Sequence, residues 1–96
     1  MELFIFARAH ALEGREAEVE RAIRDVLRET AKETGCLSIG AYRSQKDPRL
    51  FFIHSRWLSQ AAFDRHVELP HTQRFVETIE PLVDHAFMAE RTFAFA

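Results

Sequence analysis

Two histidines on either side of a proline are the residues of this sequence best suited to acid–base chemistry. His66 and His71 flank Pro70, which interrupts two short helical patterns. An imidazole titrates near neutral pH, so either ring suits a general base that removes a phenolic proton. Because the two rings are five positions apart, they do not share a helical face, which argues against a metal pair with i,i+4 spacing. The structural alternative for each histidine is a helix-terminal cap or a packed, hydrogen-bonded ring.

Aromatic residues close to these histidines predict a pocket. Trp57 ends a strand-like segment directly before a helical pattern, and Phe63 and Phe75 follow on the two helical patterns. Such side chains can form the wall of an apolar pocket that stacks on a flat aromatic substrate. Trp57 is equally suited to a structural role, as a core anchor between strand and helix. His54 needs a polar partner if it is buried, and it could line either this pocket or a subunit interface.

Several other kinds of chemistry are not supported. No base lies at a spacing that would activate Cys36, which favours a small buried thiol over a nucleophile. Only three glycines are present, too few for a phosphate-binding loop or a dinucleotide motif, and there is no Ser-His-Asp order. We therefore predict neither a bound cofactor nor a metal. Thirteen basic residues against fifteen acidic ones, with no basic block, argue against a nucleic-acid partner.

Three further features of the sequence indicate the cellular compartment. The longest apolar stretch is too short to cross a membrane. The N-terminal segment lacks the charged region and apolar run of a signal peptide. A single cysteine, Cys36, has no partner within the chain for a disulfide. From these observations we expect a cytoplasmic protein.

The elements that position these residues follow from hydrophobic periodicity. Steps of three and four between apolar residues predict a first helix from Arg15 to Thr34, which Gly35 is expected to close in a left-handed conformation. Alternating or strand-forming runs predict strands, and Asp47-Pro48 predicts a tight connection between two of them. The remaining predicted elements are strands over Leu3–His10, Cys36–Arg43, Leu50–Trp57 and His85–Ala96, and helices over Gln60–Val67 and His71–Ile79.

The resulting order, βαββαβ, predicts an α+β fold of the ferredoxin-like kind: one domain, residues 1–96, with a four-stranded antiparallel sheet. Both faces of that sheet are apolar, since Phe4 and Phe6 oppose Leu3 and Ile5 in the first strand. Helices can cover only one face. We therefore predict a homodimer through the other sheet face, which would form a dimeric α/β barrel.

Several segments, in this order, resemble the antibiotic-biosynthesis and quinol monooxygenases of the dimeric α/β-barrel superfamily. They include Glu33 to Ser38 after the first helix, Arg56-Trp57 leading into Ala61-Ala62-Phe63, and His66 followed by Pro70-His71. The resemblance covers nearly the whole chain. It implies oxygenation of a hydroxylated, quinol-like aromatic without metal or flavin.

The resemblance also implies roles for individual residues. His71 is the preferred catalytic base and His66 the second candidate, with Trp57, Phe63, Phe75 and His54 as substrate-binding residues. Two departures from the family pattern stand out: Ser55 replaces a glutamate common among relatives, and the first strand has Ala7 or nearby apolar residues where haem-degrading relatives have asparagine. A non-catalytic dimeric module for a small ligand, or an isomerase on the same scaffold, is the alternative function.

Overall fold

A computed structural model describes residues 1–96 and shows four strands and three helices in the predicted order. The strands pair antiparallel in the spatial order β2-β3-β1-β4, which is the ferredoxin-like arrangement. The elements are β1 (Leu3–His10), α1 (Glu16–Thr30), β2 (Cys36–Arg43), β3 (Leu50–Trp57), α2 (Gln60–Glu68), α3 (Pro70–Ile79), a 3₁₀ turn (Glu80–Leu82) and β4 (Met88–Thr92). No helix is long and apolar enough to cross a membrane.

The first helix ends earlier than its sequence pattern predicts, at Thr30 instead of Thr34. Tighter turns follow the helix: the amide of Glu33 donates to the carbonyl of Thr30, three residues back. Gly35 does not adopt the left-handed conformation that we expected, and Gly14, with φ of 86°, is the only residue with positive φ. Gly35 is needed for a different reason, because a Cβ there would lie 2.4 Å from the Cβ of Ala62. It allows the start of β2 to approach α2 closely.

The last strand is also shorter than predicted, covering Met88–Thr92 instead of His85–Ala96. Its C-terminal end is limited by its neighbour: β4 pairs only with β1, from Phe4 opposite Thr92 to Arg8 opposite Met88. Beyond Thr92 there is almost no strand left to pair with, so residues 93–96 stay outside the sheet. The alternating sequence pattern continues to Ala96, but β1 has almost no further residues with which that segment could pair.

The two faces of the sheet differ in what covers them. Helices α1, α2 and α3 lie over the face that carries Leu3, Ile5 and Ala7, and these side chains are buried in the core. The opposite face is uncovered in the single chain. It presents large apolar side chains to solvent, as predicted, and those exposed by more than a third include Phe6, Tyr42, Phe52 and Met88.

Candidate active site

A cavity of about 460 Å³ lies between the helices and the covered face of the sheet. Its lining is mainly apolar and includes three of the predicted site residues, Phe63, His66 and Phe75. Phe75 packs edge to face against Phe87, with ring centroids 5.3 Å apart. A mainly apolar cavity with one histidine in its wall is suited to a small aromatic molecule that presents an acidic hydroxyl.

Helix α2 sets the position of two of these residues. It begins after Ser59, whose Oγ accepts a hydrogen bond from the amide of Ala62 at 3.2 Å. This cap is a favourable one for a helix start. Phe63 is buried one residue later, and His66 follows at i+3 on the same side of the helix. The cap therefore orients both the aromatic wall and the histidine.

Trp57 supports the cavity wall from behind and does not line it. The indole ring is completely buried, with its centroid 4.6 Å from that of His66 and 5.4 Å from that of Phe63. Its Nε1–H donates to the Oγ of Ser55 at 2.9 Å. Trp57 therefore occupies the position of a core anchor between strand and helix, one of the two roles that the sequence left open.

A carboxylate that the sequence analysis did not select joins the two histidines. The Oε2 of Glu33 lies 2.8 Å from Nδ1 of His66 and 2.7 Å from Nε2 of His71. All three side chains are largely buried, with exposed fractions of 13%, 12% and 17% for Glu33, His66 and His71. The clue in the sequence was the position of Glu33 directly before Thr34-Gly35, within a segment that carries the family resemblance.

This contact fixes which nitrogen of His66 is free. A carboxylate only accepts hydrogen bonds when ionised, so Nδ1 of His66 carries the proton and donates it to Glu33. In the neutral ring, Nε2 then keeps an unshared electron pair, and it makes no hydrogen bond within the chain. His66 lines the cavity. A neutral imidazole with an oriented, unoccupied acceptor nitrogen has the properties of a general base.

His71 occupies a different position from the one we expected. Its Nε2 is engaged by Glu33, and the residue is not part of the cavity lining. Pro70 begins α3, and this places His71 in the first turn of that helix, facing Glu33. The structure therefore places His66 in the cavity wall and His71 outside it, with both rings bound to the same carboxylate oxygen.

His54 is not brought to the cavity either. It lies in β3 on the uncovered face of the sheet, opposite Phe6 and Gly40 in the neighbouring strands. Its ring centroid is 4.7 Å from that of Phe6. Because side chains alternate along a strand, His54 and its neighbour Ile53, which lines the cavity, face opposite sides. Of the two positions considered for His54, the structure places it on the surface predicted to be the subunit interface.

Two polar residues of the cavity lining, Arg91 and Thr30, differ in their hydrogen bonding. Arg91 lines the cavity, and its guanidinium lies 4.8 Å above the Phe63 ring. The same group donates a hydrogen bond to Asp64 at 2.7 Å, so the two residues form an ion pair at the cavity rim. Thr30 lines the cavity as well, and its fully buried hydroxyl has no hydrogen-bond partner.

Cys36 lies outside the cavity lining, and its chemistry is that of an inert thiol. Burial raises the pKa of the Cys36 thiol above its ordinary value, and the nearby carboxylate of Glu33 raises it further. Because only the thiolate is a strong nucleophile, a raised pKa argues against covalent catalysis. The sequence predicted a small buried thiol, and the structure shows Cys36 only partly buried.

The protein is a small α+β protein of the ferredoxin-like class. It has an aromatic cavity under its helices and a carboxylate-bound histidine in the cavity wall. Comparison with known families shows which family of this class it belongs to. The family model described as antibiotic biosynthesis monooxygenase matches residues 3–78, from β1 to α3. The chain belongs to this family. The resemblance stated from sequence motifs is thereby confirmed.

Solved structures show the same fold along the entire chain. The crystal structure of an antibiotic biosynthesis monooxygenase superimposes with a TM-score of 0.91 at 24% identity, covering 98% of this chain and 99% of the other. Protein PA3566 of Pseudomonas aeruginosa gives 0.90 at 26% identity, with coverage of 99% and 95%. SnoaB of Streptomyces nogalater, described as a cofactor-independent oxygenase, gives 0.88 at 17% identity, with coverage of 99% and 94%. No protein of curated function matches the sequence.

Proposed function

We propose that the protein is a monooxygenase that oxygenates a hydroxylated, quinol-like aromatic without metal or flavin. The observation that carries the proposal is the Glu33–His66 pair at the wall of an apolar cavity. SnoaB, with the same fold, is described as a cofactor-independent oxygenase, which supports this chemistry for the scaffold.

His66 starts the reaction by removing a proton from the substrate hydroxyl. The proton moves to Nε2, and the resulting imidazolium is stabilised by the carboxylate of Glu33, which already accepts its Nδ1–H. The deprotonated aromatic is electron-rich and becomes the reductant of molecular oxygen. One oxygen atom forms a bond to a ring carbon and the other leaves as water. The substrate supplies all four electrons, so no external reductant is needed.

The remaining cavity residues bind and shield the substrate. Phe63 and Phe75 supply apolar surface that excludes water from the anion. The guanidinium of Arg91 has five N–H groups. One donates a hydrogen bond to Asp64, and others remain for the substrate. One of these can stabilise negative charge as it develops on a substrate oxygen. Ser55, which also lines the cavity, carries no charge where many relatives have a glutamate. His66 is then the only histidine in a lining that contains no carboxylate, and we assign the proton transfer to it.

The same proposal includes a homodimer through the uncovered sheet face. Phe6, Tyr42 and Phe52 form an apolar surface there, with His54 packed beside Phe6. A surface of this kind is an aggregation hazard unless it is covered, and a second copy related by a two-fold axis covers it with itself. Light scattering should give about twice the chain mass of 11.2 kDa, and replacing Phe6 with Glu should shift the mass to that of one chain. A wild-type protein that is monomeric at micromolar concentration contradicts the dimer.

Oxygen uptake by chelator-treated, flavin-free protein tests the oxygenase proposal. The substrates are a panel of dihydroxynaphthalenes and anthrones, and ¹⁸O₂ labelling of the product follows for any substrate that supports uptake. We expect uptake with one labelled oxygen atom in the product. Uptake that disappears with the metal and returns when metal is added refutes the cofactor-free mechanism. If no compound supports uptake although several bind, the protein is a small-ligand-binding module.

A further inference from the structure

We propose that Glu33, His66 and His71 also form a binding site for one divalent transition-metal ion of the Zn²⁺ class. The three side chains come from different elements: the segment after α1, the last turn of α2 and the first turn of α3. Their ligand atoms all lie within 4.8 Å of one another. The three side chains are also largely buried, so each is held in place before any ion arrives.

The donor set selects the kind of ion. Two imidazole nitrogens and one carboxylate are a common ligand set for Zn²⁺ that leaves a fourth position open. Imidazole suits transition metals, whereas Mg²⁺ and Ca²⁺ prefer sites made of oxygen atoms alone. The sequence spacing of His66 and His71 argued against a metal pair on one helix. The break at Pro70 removes that objection because it places the two rings on separate helices, both turned toward Glu33.

The geometry requires only small side-chain movements. Donor atoms about 2.0–2.2 Å from a tetrahedral ion are about 3.3–3.5 Å apart. The carboxylate oxygen is now 2.7 and 2.8 Å from the two nitrogens, so both distances must lengthen by about 0.5–0.8 Å. The two nitrogens, now no more than 4.8 Å apart, must approach each other to a similar distance. We expect small rotations of the three side chains to supply these changes.

Metal binding changes the proton position on His66. The ion takes the lone pair of Nδ1, so the proton that Nδ1 now donates to Glu33 must leave that nitrogen. In a neutral imidazole it moves to Nε2, the nitrogen that has no partner in the chain. His66 then presents an N–H to the cavity in place of an electron pair. A bound ion therefore inhibits the proposed oxygenation, and this consequence, unlike the binding itself, rests on the proposed function.

Cobalt(II) provides a direct test of binding, because its visible absorption reports on nitrogen and oxygen ligands without any enzyme assay. Chelator-treated protein is titrated with CoCl₂, and ZnCl₂ is then added in competition. We expect one equivalent to bind, and we expect Glu33→Gln and His71→Ala each to weaken binding at least tenfold. His10→Ala is the matched control, because His10, Asp84 and His85 form a second, more exposed cluster. Thermal melts confirm that each variant is folded.

Three outcomes overturn the site: no saturable Co²⁺ binding, unchanged affinity in both Glu33→Gln and His71→Ala, or loss of binding in His10→Ala. Inhibition is measured separately, as oxygen uptake with and without one equivalent of ZnCl₂. Loss of uptake that a chelator restores supports the inhibitory role, and unchanged uptake with the ion bound overturns it. If no substrate supports uptake, the proposed function fails while the cobalt titration still decides the metal site.

Discussion

Replacing Gly35 with alanine tests the close approach that holds Glu33 near His66. The new Cβ would lie 2.4 Å from the Cβ of Ala62 and 3.5 Å from its Cα. Carbon atoms prefer separations of about 3.5–4.0 Å, so β2 and α2 must separate locally by about 1.1–1.6 Å. Neither atom can rotate away, because each is the first carbon attached to its backbone. The expected cost is therefore at the upper end of the overpacking range, about 3 kcal/mol.

Thermal and chemical denaturation measure this cost. For a domain of this size, about 3 kcal/mol corresponds to a fall in Tm on the order of 12–24 °C. The compensating variant is Ala62→Gly, which removes the opposing methyl group and by itself costs about 1 kcal/mol in a helix. In the double variant the clash is absent, so it should cost only about 1 kcal/mol, which corresponds to a favourable coupling energy of about 3 kcal/mol.

Gly14→Ala is the matched control for Gly35→Ala. Gly14 has φ of 86° and open space around it, so its substitution costs about 1 kcal/mol through backbone strain alone. No second-site glycine should rescue it. Additive effects of Gly35→Ala and Ala62→Gly would refute the steric explanation, as would a Gly35→Ala variant as stable as the wild type.

Three further predictions concern other parts of the structure. Thr30→Val should raise the free energy of unfolding by about 1 kcal/mol, because it removes a buried hydroxyl without a partner; a loss of stability in urea denaturation contradicts this. Trp57→Phe should cost about 1–3 kcal/mol through lost volume and the lost bond to Ser55, and adding Ser55→Ala should cost less than the sum. The pKa of His10 is raised by hydrogen bonds from its ring to Asp84 and Asp47, in a cluster that also contains Arg49 and His85. A raised folded pKa stabilises the protein below the unfolded value, near 6.5, and this stability is lost as pH rises through the folded pKa. His10→Gln should therefore flatten the pH dependence of Tm above about pH 6, and an unchanged profile would show that the pairing does not matter.

Local sequence patterns predicted those parts of the fold that are set by residues close together in the chain. The bounds of β1, β2 and β3 agree with the expectation because alternation and the turn at Asp47-Pro48 set them. The predicted C-terminal ends of α1 and β4 were wrong because neighbouring segments decide them: a tight turn after Thr30, and the limited length of β1 for pairing.

The sequence predicted only part of the site, because contacts between residues distant in the chain leave no local pattern. Phe63 and His66 share one helix, so spacing places them together. Glu33 is 33 residues before His66, and no local pattern connects residues that meet only through the packing of β2 against α2. The direction in which His71 points depends on that same carboxylate.

The turnover of a His66→Ala variant is the most direct test of the account. Oxygen uptake should be measured on metal-free protein with a substrate that the wild type oxidises. We predict a fall in kcat of about 10²–10⁴ with the fold and the dimer intact, the range typical for loss of a general base. His85→Ala, at an exposed histidine outside the cavity, should stay within about twofold of the wild type, since surface substitutions rarely perturb a site. A His66→Ala variant whose activity falls only in proportion to its folded fraction would contradict the assignment of His66 as the base.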